Sequence, residues 1–243
     1  MAKVTAVWGA PDSGKTTFAV KLATAIYDNY NSTVMLVCPD METPTLPVLF
    51  PTAKRDDLTS IGAVLAKTEV TKDDVIRHTV SIRGLENFGV VGFKDGENKY
   101  TYPSFDETKV RALFAAFADI AQVIIVDCTS NLSNPISAYA VKYADEVIRI
   151  AAPTLKSVSW LSSQLALYSD PVYKLDRQIQ GLNVPDGELY MPAEEARAHI
   201  ADVRFSVPYC RVVKQQMLDG KLWQNVKDKD FSKKFRALVE KVV

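Results

Sequence analysis

Residues Gly9-Ala10-Pro11-Asp12-Ser13-Gly14-Lys15-Thr16-Thr17 constrain this chain more than any other stretch, because they satisfy the pattern G-x-x-x-x-G-K-[ST] with the right flanks. Val4 to Trp8 is a short run of β-branched, small and aromatic residues, which predicts a buried strand. Phe18-Ala-Val-Lys-Leu-Ala23 opens a helix-forming run. Strand, loop and helix in that order are what the pattern requires. Gly9 and Gly14 supply the backbone freedom for consecutive N–H groups to wrap a phosphate at the positive end of the following helix. Lys15 then reaches the β and γ phosphates, and the Thr16 hydroxyl ligates magnesium. Four fixed positions match by accident in roughly one in a hundred chains of this length, so a plain glycine-rich turn is the weaker reading.

At 243 residues, 47% of them hydrophobic, the chain has ample material for a sizeable core. Its 29 basic and 29 acidic residues cancel, so no global field draws it to nucleic acid or to an anionic membrane. Cys38, Cys128 and Cys210 are odd in number and far apart, with only His78 and His199 as companions, so neither a disulfide nor a metal cluster is expected. The first strand begins within a few residues of Met1, and no later run offers eighteen uninterrupted apolar residues. The expectation is a soluble cytoplasmic protein.

After the loop, a helix from about Lys15 buries Phe18, Leu22, Ala25 and Ile26 and ends at Asn29 and Asn31. Val34 to Cys38 is a continuous apolar run suited to a parallel strand covered on both faces. Asp40 follows it, where a ligand crevice forms in such sheets, although an aspartate there also serves as a turn former. A Pro-rich loop containing Pro44, Pro47 and Pro51 comes next. Helices are predicted over Ser60–Leu65, Lys72–His78 with Thr71 as its N-cap, and from about Glu107 through Phe117. Phe88–Phe93 reads as a strand, and Lys94–Lys99 as a surface turn. Val123-Ile-Ile-Val-Asp127 has the form of a Walker B strand, whose carboxylate holds magnesium or its water opposite Thr16.

Later come a helix over Asn134–Tyr143, a strand over Glu146–Ala151, a helix around Lys156–Leu167, a strand at Arg204–Val207 and a helix at Tyr209–Met217. Residues 169–195 show no clear period. A last helix from about Asp230 puts Phe231, Phe235, Leu238, Val239 and Val242 on one face, and docking on the sheet is preferred over membrane targeting. His78 and His199, each a turn after a carboxylate, Asp74 and Glu195, read as solvated helix-face pairs. No repeat or linker divides the chain, which predicts a single domain over residues 1–243. Its fold class is α/β, a mainly parallel, doubly wound sheet flanked by helices on both faces.

This order of features resembles the MinD/ParA group of P-loop ATPases, and within it the TadZ/CpaE-like proteins associated with pilus and secretion machines. Beyond the loop, the likeness lies in Cys38-Pro39-Asp40, Val123 to Ser130, Ala144-Asp145-Glu146 with Pro153, and Val207-Pro208-Tyr209 with Gly220. The resemblance implies bound ATP or ADP with Mg2+, cradled by Gly9, Ala10, Pro11, Asp12, Ser13, Gly14, Lys15, Thr16 and Thr17. Catalytic roles fall to Lys15, Asp40 and Asp127, metal contact to Thr16, Asp40 and Asp127, and contact with the base to Asn183. It further implies a nucleotide-dependent homodimer that helps localise or assemble an envelope machine, with recruitment to the inner membrane face as an unfavoured addition. One departure stands out: the family's second, signature lysine after the first glycine is here Ala10, which implies slow hydrolysis or nucleotide sensing.

Two other functions compete. The loop also looks like that of small-molecule kinases, which need a basic lid, and Arg177 near Lys174 is the visible candidate. DNA partitioning calls for a basic surface. Lys227, Lys229, Lys233, Lys234, Arg236 and Lys241 are interleaved with acids, however, so a solvated helix face is the better reading and nucleic acid is not expected as a partner.

Overall fold

The structure is a computed structural model that describes residues 2–184 and 191–242. The chain runs β1 (Lys3–Gly9), α1 (Lys15–Tyr30), β2 (Val34–Cys38), α2 (Leu46–Leu49), α3 (Ile61–Leu65), α4 (Lys72–Arg77), β3 (Val80–Ile82), β4 (Leu85–Gly92) and α5 (Glu107–Ala118). It continues through β5 (Val123–Asp127), α6 (Pro135–Tyr143), β6 (Glu146–Ala151), α7 (Leu155–Gln164), β7 (Ile179–Asn183), α8 (Ala193–His199), β8 (Val203–Val207), α9 (Arg211–Leu218) and α10 (Lys229–Val242).

Among the described residues one sheet takes all eight strands in the order β3-β4-β2-β5-β1-β6-β7-β8. Every pairing is parallel except that of β3 with β4. β1 sits between β5 and β6, registering Val7 with Asp127 on one side and Gly9 with Ile150 on the other. The strand feeding the glycine-rich loop is therefore the one at which the winding reverses, and a crevice opens at its carboxyl end.

Alternate residues of each buried strand face opposite layers. Val7, Leu36, Ile125 and Ile148 join Phe18, Leu22 and Ile26 of α1 and Phe231, Phe235 and Leu238 of α10. Ala6, Trp8, Met35, Val37 and Ile124 join Val64 of α3, Leu113 and Phe117 of α5, and Ile136 of α6. The continuous apolar runs of β2 and β5 follow from this double burial. A smaller cluster under β7 gathers Leu161, Leu182, Met191, Ala196 and Ile200. α10 docks as expected, with Phe235 edge-on to Phe18 at 5.6 Å. Val242 belongs to the helix, but its side chain lies outside the described residues.

Several expectations need correcting. β7 and the start of α8 lie inside the stretch that showed no period, β3 adds an antiparallel edge, and α2 forms within the Pro-rich loop, with proline in its first turn. Asp74 does not pair with the His78 ring. Its carboxylate takes the Lys67 ammonium and the Thr71 hydroxyl, while His78 Nδ1 lies 2.7 Å from the Asp74 backbone oxygen. Lys227, Lys229, Lys233, Lys234 and Arg236 are exposed beside exposed Asp228, Asp230 and Glu240, as a solvated face requires.

Candidate functional site

Gly9 ends β1 with φ 137°, and a Cβ there would sit 2.0 Å from the Ile150 oxygen. Only glycine lets the chain leave the sheet so close to β6, and Ala10 N then donates to that same oxygen at 3.0 Å. The loop is folded by its own side chains. Ser13 Oγ donates to Ala10 O at 2.7 Å, and Asn183 Nδ2 donates to Ser13 O at 2.8 Å. Gly14, at φ 78°, caps α1 without a side chain, which leaves the first N–H groups of the helix facing the crevice.

From behind, Trp8 braces the loop. It is fully buried, its indole Nε1 donates to Gln178 Oε1 at 3.0 Å, and its ring meets Trp160 and Tyr168 edge-on at 5.5 and 5.4 Å. Buried Arg149 donates from Nε to Gln180 Oε1 at 2.6 Å and completes this polar layer.

Lys15 projects from the start of α1 and donates to Ala10 O at 2.9 Å and Ser130 Oγ at 2.7 Å. Both acceptors are neutral. Burial lowers its pKa, and Asp127, Asp12 and Asp40 oppose that shift. Asp127, at the end of β5, is 5% exposed, and its Oδ1 is buried without a hydrogen-bond partner. Burial pushes its carboxyl up to about 6, against the pull of the Thr16 hydroxyl and the Lys15 charge. Cys128 beside it is a buried small hydrophobe whose thiol burial pushes far up.

Asp40 forms the turn after β2 and also borders the crevice. Its Oδ1 accepts from Glu42 N at 2.8 Å and Thr43 N at 2.9 Å. The crevice is a cavity of about 700 Å³ that runs from the loop, Asp40 and Asp127 to an apolar wall containing Val207, Pro208, Val213 and Met217. Asn183 is on the lining too, with its amide nitrogen committed to the loop. Asp12, at φ 55°, points outward and pairs with Lys156 of α7. This ion pair offsets the negative charge that an aspartate brings to an anion site.

The donor set fits magnesium. A buried carboxylate oxygen without a partner, with the Thr16 hydroxyl beside the same carboxylate, offers hard oxygen ligands. Among the described residues no cluster of three His, Cys, Asp or Glu side chains forms a cage, and magnesium needs none when phosphates and water complete its shell.

A pH dependence follows. Magnesium held here would take the ionised carboxylate, so the magnesium-dependent part of any nucleotide affinity would be full above about pH 7 and would fall about tenfold per unit below about 6. Folding carries the opposite sign. The raised pKa contributes stability below the ordinary 3.8 that is lost as pH rises through about 6. Titrating ATP with magnesium and with EDTA from roughly pH 5 to 8 measures the first effect, and a flat ratio would remove Asp127 from the metal's surroundings.

Three participants escaped the sequence reading: Ser130, Lys156 and Lys21, which lines the cavity from α1. Arg177 is not a lid. It precedes β7 at the amino-terminal edge of the parallel sheet, beside Arg204 and Leu238, whereas the loop lies at the carboxyl edge.

No protein-family model matches the chain, and no curated protein matches it in sequence. Solved structures do match in three dimensions. A ParA family ATPase from Chlorobium tepidum superposes with a TM-score of 0.76 at 16% identity, covering 98% of each chain. MinD from Pyrococcus horikoshii, complexed with Mg-ADP, gives 0.70 at 19% identity, covering 99% of this chain and 96% of that one. A MinC:MinD complex from Aquifex aeolicus gives 0.72 at 14%, covering 99% and 95%. At such identities the likeness speaks for architecture, and the architecture is that of the MinD/ParA P-loop proteins.

Proposed function

We propose that this chain binds ATP with magnesium and hydrolyses it slowly, using the bound nucleotide to set its association with a second copy of itself. The observation that carries this reading is the pairing of Lys15, parked on two neutral acceptors, with the unpartnered Asp127 oxygen across the same cavity. A triphosphate would supply the anion that the ammonium lacks, and Thr16 and Asp127 would hold a magnesium ion that would neutralise phosphate charge. Asp40 orients the attacking water from the end of β2. Lys15 is the cation inside the loop, whereas Lys156 is held outside it by Asp12. With Ala10 where the resembled family has a second lysine, transition-state charge is poorly compensated, hence the slow turnover.

Support for a switch rather than a kinase comes from the placement of Arg177 away from the crevice. The narrower reading, an assembly or localisation factor for a pilus, secretion or conjugation machine, rests on the sequence resemblance. The MinC complex of the Aquifex MinD shows that a protein of this architecture can carry a partner. Light scattering with and without ATP and magnesium tests the switch, and a monomer indifferent to ATP would sink it. A duplex-DNA shift at low salt would favour partitioning over assembly.

A further inference from the structure

Lys21 lies one turn beyond Thr17 on α1 and is 4% exposed. Its ammonium donates to Gln216 Oε1 at 2.6 Å, Leu222 O at 2.6 Å and Gln224 O at 2.7 Å. Three donors meet three acceptors, and all the acceptors are neutral. All three also come from the end of α9 and the turn after it. Gln216 is buried and donates onward to Asn225 O at 3.0 Å, so the clamp holds a short stretch of chain as a unit.

The clamped stretch forms part of the cavity. Val213, Met217 and Leu222 line its apolar wall, facing Thr17 and Phe18 on α1, and Thr17 Oγ1 lies 3.7 Å from Met217 Sδ. A nucleotide whose phosphates sit on the loop can lay its apolar part against this wall. Burial pushes Lys21 down to about 8, with Cys210 and Asp28 opposing the shift, so holding the charge here costs stability that a hydrophobe of similar length would not cost. What an ammonium adds over a hydrophobe is direction, because three short hydrogen bonds fix one spacing between α1 and α9.

We propose that Lys21 is a positioning residue that sets the width of the slot taking the base and ribose, acting through α9 and without touching the phosphates. This rests on the nucleotide-binding reading above. The test is calorimetric titration of the full chain with MgATP and with magnesium tripolyphosphate, which has the phosphates and lacks the nucleoside. Lys21→Met is expected to weaken MgATP about tenfold or more and leave tripolyphosphate within about twofold. Gln216→Ala, a milder change that removes one acceptor, should move ATP alone by about threefold, and it carries the test if Lys21→Met does not fold. Equal losses for both ligands, or no loss in either variant, would overturn the assignment while leaving nucleotide binding intact. Wild-type protein that binds ATP no more tightly than tripolyphosphate would also overturn it. Wild-type protein that binds neither ligand would overturn the underlying reading together with it.

Discussion

Lys15→Ala abolishes MgATP binding at micromolar concentrations, with an expected fall of about 100-fold or more, because removing one member of a desolvated charge pair costs about 3 kcal/mol or more. The free protein should hardly notice. Without nucleotide the ammonium rests on Ala10 O and Ser130 Oγ, and its burial is unfavourable, so its loss removes little that stabilises the fold. Thermal unfolding therefore separates the two roles. The midpoint without ligand stays near that of wild type, while the rise produced by saturating MgATP disappears. A variant that kept the ligand-induced rise would show that the loop does not hold the phosphates through Lys15.

The largest stability effect is expected at Trp8. Replacing this fully buried ring by alanine removes its contacts with Trp160 and Tyr168 and its hydrogen bond to Gln178. The cost is about 4 kcal/mol, the usual range for emptying an aromatic core site. For a chain of this size that corresponds to a midpoint lower by about 12 °C in a thermal melt. Trp8→Phe keeps one ring but loses the indole donor and the packing of the second fused ring, so it should fall by about 2 kcal/mol. Equal losses for the two variants would mean that the hydrogen bond, and not the ring, anchors the strand.

The contrast between β5 and β7 shows what the sequence could reveal. β5 is buried on both faces by hydrophobes, so Val123 to Val126 announces a strand and Asp127 its carboxyl end. β7 is buried as well, yet Gln180 within it and Gln178 just before it face Arg149 and Trp8. Its buried face is polar because it solvates a guanidinium and an indole, and no hydrophobic periodicity can report that. Gly181 interrupts the pattern further, since a side chain there would meet Phe205 and Ile150. α2 was hidden by a proline that fits the first turn of a helix and also reads as loop.

The site divides in the same way. The loop, Asp40 and Asp127 are local signals at strand ends, where the fold class alone places them together. Ser130, Lys156 and Lys21 act through partners remote in the chain, Lys15, Asp12 and Gln216, so their roles exist only once the fold has brought those partners close.

The central position of β1 has a consequence for how the protein is made. Lys3 pairs with Val123 and Thr5 with Glu146, so during synthesis β1 has no neighbour in the sheet until β5 and β6 have been made. The crevice wall at Val207 to Met217 and the covering helix with Phe231 and Phe235 come later still. At elongation rates of about 5–20 residues per second the loop strand waits about 6–24 s with both edges open, until β5 is made. Nucleotide cannot rescue the nascent chain in that interval, because the pocket does not yet exist. During translation this apolar strand is a liability for aggregation that ligand affinity in the finished protein does nothing to reduce.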